Sequence, residues 1–187
     1  MTSSSRNSRK PQALRLAIAA ALLCGSVAQA DQPSKFVLTA YTSDAGGSKL
    51  VKGDYDAAFD EIHRQPKGSA SDAAALKNNE CVALAMTGQF ESALDACSAA
   101  IATAHRDLYT VSGVDLWERQ KYSDYLAVAY SNRAVIYWLE RDSVSAARDL
   151  ATASALAPKA DYVERNISAL HDPHENAVAQ VSMAPKS

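Results

Sequence analysis

The sequence predicts an all-α fold, a short solenoid of antiparallel helix hairpins with one extended, aromatic-rich helix in its middle. Three observations carry that expectation. Small and apolar residues recur at fixed offsets: from Cys81 they fall at +12 (Ala93), +16 (Cys97) and +19 (Ala100), and from Ala134 the same offsets give Ala146, Leu150 and Ala153. An asparagine stands two residues before the start of each block, at Asn79 and Asn132, and a further one, Asn166, follows Asn132 by 34 residues. Breakers are sparse inside the blocks and a glycine, Gly88, falls between the halves of the first, which is the pattern of helix, tight turn, helix.

Taken in order, residues 1–30 read as an address. Met1 to Arg15 carries only positive charge, the apolar run Leu16 to Ala28 is 13 residues long, and it ends in Ala28-Gln29-Ala30. That is the pattern of a secretory signal peptide cleaved after Ala30, and the run is shorter than the roughly 20 residues a bilayer span needs. Leu23 before Cys24 argues against lipoprotein processing, and with no adjacent Arg-Arg pair the general secretory route fits best. The compact, alanine-rich leader looks bacterial, so the mature chain is expected in a periplasm or outside the cell. Beyond Ala30 the remaining 157 residues hold 15 basic against 21 acidic side chains, a formal charge of −6. Such a chain has no electrostatic footprint for nucleic acid, and no stable membrane insertion is expected once the leader is gone.

Residues 31–49 read as an extended arm and linker. Lys35 to Thr42, with Phe36, Val37 and Leu38, favours an extended conformation, but a strand without a partner is marginal, so the arm is expected to lie on the first helices. Thr42 to Ser48 reads as linker, and Gly46-Gly47-Ser48-Lys49 lacks the upstream glycine of a phosphate loop and reads as flexible. The helical domain is expected over 50–170. A short first hairpin carries Gly53, Tyr55, Ala58 and Ile62, which echo Gly88, Phe90, Ala93 and Cys97 35 residues later. Ala73 to Met86 forms a helix, Thr87-Gly88-Gln89 a turn, and Glu91 to Thr103 the returning helix. Asp107 to Gly113 reads as a loop, and Gln65 to Asp72 as a linker. Asp115 then caps a helix running through Trp117, Tyr122, Tyr125, Tyr130, Tyr137 and Trp138 to Glu140, 26 residues that would reach about 39 Å. Its rings are expected to cover the extra turns. The tail 171–187, with Pro173 and Pro185, reads as disordered.

The residues Asn132-Arg133-Ala134, Tyr137, Ala146, Leu150, Ala153 and Pro158, and again Asn79, Cys81, Leu84, Gly88, Phe90, Ala93 and Ala100, resemble the tetratricopeptide repeat (TPR) family. With the half-repeats Gly53 to Ile62 and Asp161 to Leu170, the resemblance covers roughly 50 to 170. The chain departs from the family pattern at Lys77, where a bulky apolar residue is usual, at Arg141 in place of the turn glycine, and at His105 in place of the closing proline. The two central repeats are also 53 residues apart, about 19 more than the family interval. The resemblance implies a concave face, formed by the first helices of the hairpins, that binds a polypeptide. It implies that Asn79, Asn132 and Asn166 hydrogen-bond the backbone of an extended ligand there, with Val82, Met86, Val128, Val135, Trp138 and Leu139 as the apolar strip around them. The charged clamp some relatives use for C-terminal carboxylates is missing, because Asn78 and Ser131 stand where lysine is needed and Val82 where an asparagine is.

Catalytic patterns are not found. The sequence holds no nucleophile elbow, zinc-protease helix or dinucleotide fingerprint. His171 and His174 with Asp172 and Glu175 are the one compact cluster of possible metal ligands, and a solvated helix end explains them better than a site. His63 and His105 fall near helix ends, and Asp54 with Asp56 and Asp60 with Glu61 read as a solvated face. Cys81 and Cys97 fall level on opposite helices of one hairpin, so a disulfide between them is expected in an oxidising compartment, the alternative being two buried thiols. Ala146 and Ala153 are expected to be the most size-sensitive positions of the best-matched hairpin. The function expected is therefore a non-catalytic scaffold binding a peptide or protein segment in the cell envelope, without cofactor or metal. The alternative is a small thiol-redox or metal-binding protein using Cys81 and Cys97, or His171 and His174.

Overall fold

Helices dominate, and most begin and end for a reason visible in the local sequence. The computed structural model describes residues 36–66, 72–110, 116–171 and 179–184. Its elements are β1 (Phe36–Ala40), α1 (Gly47–Lys52), α2 (Tyr55–His63), α3 (Ala73–Met86), α4 (Phe90–Thr110), α5 (Leu116–Leu139), α6 (Ser143–Leu156), α7 (Asp161–Leu170) and β2 (Ala179–Met183). Three turns share one hydrogen-bond pattern. Gly53, Gly88 and Arg141 are left-handed, with φ of 83°, 76° and 67°. The residue after each donates its N–H to the carbonyl five positions back: Asp54 to Lys49, Gln89 to Leu84, Asp142 to Tyr137, at 2.8–3.0 Å. This closes the last carbonyls of α1, α3 and α5 and reverses the chain. Asp54 and Asp142 then accept from the N–H groups of Ala57 and Ser145, so the residue that ends one helix starts the next.

The result is three helix pairs, α1 with α2, α3 with α4 and α5 with α6, followed by α7, each pair packing on the next in chain order. The alternate helices α3, α5 and α7 are also neighbours of one another, and β1 lies across all three. Small residues sit where the paired helices meet: Ala93, Ala100, Ala146 and Ala153 are all buried. A disulfide joins Cys81 on α3 to Cys97 on α4, with 5.1 Å between their Cα atoms. Arg133 of α5 reaches both neighbours, donating to Asp149 of α6 (2.7 and 3.1 Å) and to Ser98 of α4 (3.0 Å).

Several expectations are corrected. The tail is not wholly disordered: Ala179–Met183 is a strand, paired in parallel with β1 in the register Phe36 to Ala179 through Ala40 to Met183. The arm therefore has a strand partner, and it lies on α3, α5 and α7 rather than on the first helices alone. Gly46 and Gly47 are not a flexible linker. Gly46 is left-handed at the start of α1, and a side chain on Gly47 would place its Cβ 1.9 Å from the carbonyl oxygen of Tyr41. Only glycine permits that approach. The expected loop from Asp107 is helical to Thr110, because Leu108 packs on the core and the His105 ring lies 3.4 Å from the Tyr130 hydroxyl. The leader 1–30, the remainder of that loop, and the residues Asp172, His174 and Glu175 of the cluster read as a solvated helix end lie outside the described residues.

Candidate functional site

The three asparagines singled out by their recurrence sit on three neighbouring helices, Asn79 on α3, Asn132 on α5 and Asn166 on α7, and all are buried. Each holds one residue of β1 or its continuation by both backbone groups. The amide oxygen of Asn166 accepts the Val37 N–H at 2.7 Å while its nitrogen donates to the Val37 carbonyl at 2.9 Å. Asn132 does the same for Thr39 (2.7 and 2.9 Å), and Asn79 for Tyr41 (2.8 and 2.9 Å). The period is two residues because in an extended chain the N–H and C=O of one residue point to one edge and those of its neighbours to the other. The asparagines thus read backbone, on every second residue, without reading side chains.

A second row supports the first. The remaining amide hydrogen of Asn166 goes to the hydroxyl of Ser131 (2.9 Å), the residue before Asn132. That of Asn132 goes to the side-chain oxygen of Asn78 (2.9 Å), the residue before Asn79. That of Asn79 goes to the carbonyl of Ala45 (3.1 Å), and Asn78 itself donates to the Thr39 carbonyl (2.8 Å). Every amide atom in the ladder is used, as burial demands. Asn78 and Ser131 are functional residues that the sequence reading missed, noting them only as the place of an absent charged clamp. The signal that could have found them is the uncharged polar residue preceding two of the three recurrent asparagines.

The apolar strip lies beneath this strand. Val82 and Val135, with the half-buried Met86, Trp138 and Leu139, share one core cluster with Phe36, Leu38 and Ala40, and Val128 joins Val37 and Tyr41 in the other. Two aromatic contacts grip the ends of the segment: Phe36 lies 4.6 Å from the Trp138 ring centre, and Tyr41 meets Tyr125 edge-on at 4.9 Å. All nine expected binding residues are thus brought to one region, and its occupant here is residues 36–41 of the chain itself. The Tyr41 hydroxyl and the Thr39 hydroxyl are buried with no hydrogen-bond partner among the described residues. Burial, reinforced by the nearby phenol of Tyr162, pushes the Tyr41 phenol well above its ordinary pKa.

No charged side chain belongs to the ladder, and both half-cystines of the nearby bridge are fully buried. Among the described residues no group of three or more His, Cys, Asp or Glu side chains is placed to hold a metal ion, and no helix is long and apolar enough to cross a membrane. What this arrangement does chemically is hold an extended polypeptide by its peptide groups. Neither a family model, a curated protein nor a solved structure matches the chain.

Proposed function

We propose that the chain is a non-catalytic, tetratricopeptide-like scaffold of the bacterial cell envelope that binds a polypeptide segment, its asparagine-lined face holding the chain's own arm as the strand against which the partner is bound. The observation that carries this reading is the ladder itself: three amides at equivalent positions of alternate helices grip both backbone groups of alternate residues in a strand. The amides recognise extended backbone, and the apolar strip around them selects the side chains that it carries, as it does Phe36 and Leu38. Support for the repeat arrangement comes from the three turns with one hydrogen-bond pattern, at Gly53, Gly88 and Arg141, whose spacings of 35 and 53 residues are those of the repeated blocks. The Cys81–Cys97 bridge and the leader-like first thirty residues both suit an oxidising envelope compartment.

The test is a crosslinking capture from the envelope fraction with the mature chain as bait. Replacing Asn132 and Trp138 together by alanine frees Thr39 and Phe36, and it should abolish capture while the far-ultraviolet circular dichroism stays helical. Capture that survives in the folded double variant would rule out this face as the binding surface.

A further inference from the structure

The two strands are held very differently. All five side chains of β1 are buried, and one of its edges is bound by the ladder. β2 has no such hold. Gln180, Val181 and Ser182 are half-buried, Met183 is 64% exposed, and no helix side chain donates to or accepts from the strand among the described residues. Its hydrogen-bonded anchor is the second edge of β1, with α1 packed beside it: the N–H of Ala184 donates to the Ala40 carbonyl at 2.7 Å, and by the period of two the N–H groups of Gln180 and Ser182 point to the same edge. A single parallel pairing of five residues is weak, since parallel ladders are the less stable kind and two strands alone are marginal. β1 is therefore a permanent part of the core, whereas β2 occupies an edge that other strands can compete for.

We propose that this edge is a strand-exchange site, where an extended, uncharged segment of a partner protein displaces β2 and pairs in parallel with β1. The proposal rests on the scaffold reading and names the chemistry of its partner. The requirements are read from β2 itself. Ala179 to Ala184 carries no charge. Val181, paired with Leu38, packs on the same cluster as Phe36, Leu38 and Ala40, so the incoming segment needs an apolar residue there. Opposite Val37 and Thr39 stand Gln180 and Ser182, so polar residues are accepted at those positions. Affinity comes from main-chain bonds and selection from the apolar site of Val181, with the small Ala184 packed beyond it.

The probe is a fluorescein-labelled synthetic peptide with the sequence of residues 178–185, titrated into the full mature chain and followed by anisotropy. In the full-chain variants Ser182→Pro and Gln180→Pro, an N–H aimed at β1 is lost, so the tethered strand no longer competes. Both variants should bind the peptide at least about tenfold more tightly than the unmodified chain, whose own strand acts at high effective concentration. A peptide that itself carries Ser182→Pro should not bind. Three results would overturn the proposal: folded variants that bind no peptide, equal binding by all three proteins, which would place the peptide on the outer edge of β2, or unfolding of both variants, which would make β2 part of the core. Failure here with envelope capture intact would remove strand exchange and leave the scaffold. Success here with capture absent would keep the exchange edge and remove the envelope partner.

Discussion

Asn132 is fully buried at the centre of the ladder, and every polar atom of its amide has a partner: the Thr39 N–H, the Thr39 carbonyl and the Asn78 side-chain oxygen. Alanine in its place orphans the Thr39 N–H and the Asn78 oxygen in an interior that water does not reach. Each such loss costs about 1–3 kcal/mol, so Asn132→Ala should lower the stability of the mature chain by roughly 3 kcal/mol in urea unfolding, whereas Lys159→Ala, on the exposed turn before α7, should change little. A second expectation concerns pH. Burial pushes the phenols of Tyr41 and Tyr162 up, so both stay protonated in the folded chain where the unfolded chain ionises them, near pH 10. The unfolded state then binds fewer protons, so stability is complete below about pH 10 and falls as pH rises beyond it. The melting temperature should drop between about pH 9 and pH 11, and less steeply in Tyr41→Phe. The recurrent asparagines were legible in the sequence because their intervals match the blocks. The roles of Asn78 and Ser131 were not, because what they bind depends on a strand brought in from far along the chain.

Hairpin turns show the same contrast between local and distant causes. Gly88 and Arg141 occupy equivalent left-handed positions, yet only glycine adopts that conformation without a Cβ penalty. Arg141→Gly should therefore stabilise the chain by about 1 kcal/mol, and Gly88→Ala should destabilise it by about the same amount; equal melting temperatures for both variants would mean that the two turns are not equivalent. These turns, and the helices α3 and α5 to within a residue or two, follow from caps and breakers that the sequence displays. β2 does not, because its partner β1 lies 143 residues upstream in register and its five residues carry no pattern that separates a strand from a polar tail. Gly47 is a similar case: its need for glycine arises from the Tyr41 carbonyl packed against it, a contact that composition reads as a linker.

At the scale of the molecule, the ladder lays a segment from near the start of the chain across three helices, and a segment from near its end closes over that strand's other edge. Helix hairpins alone would satisfy only part of the amides of Asn132 and Asn166, through Asn78 and Ser131; the arm supplies the peptide groups that complete all three. Backbone recognition by this ladder is the central claim, and amide hydrogen exchange of the native mature chain, read residue by residue by NMR, tests it most directly. The N–H groups of Val37, Thr39 and Tyr41 should be among the slowest in the protein, opening only with global unfolding, while those of Leu38 and Ala40, which face β2, exchange faster through local release of that strand. Exchange of Val37, Thr39 and Tyr41 at the rate of an unprotected loop would contradict it.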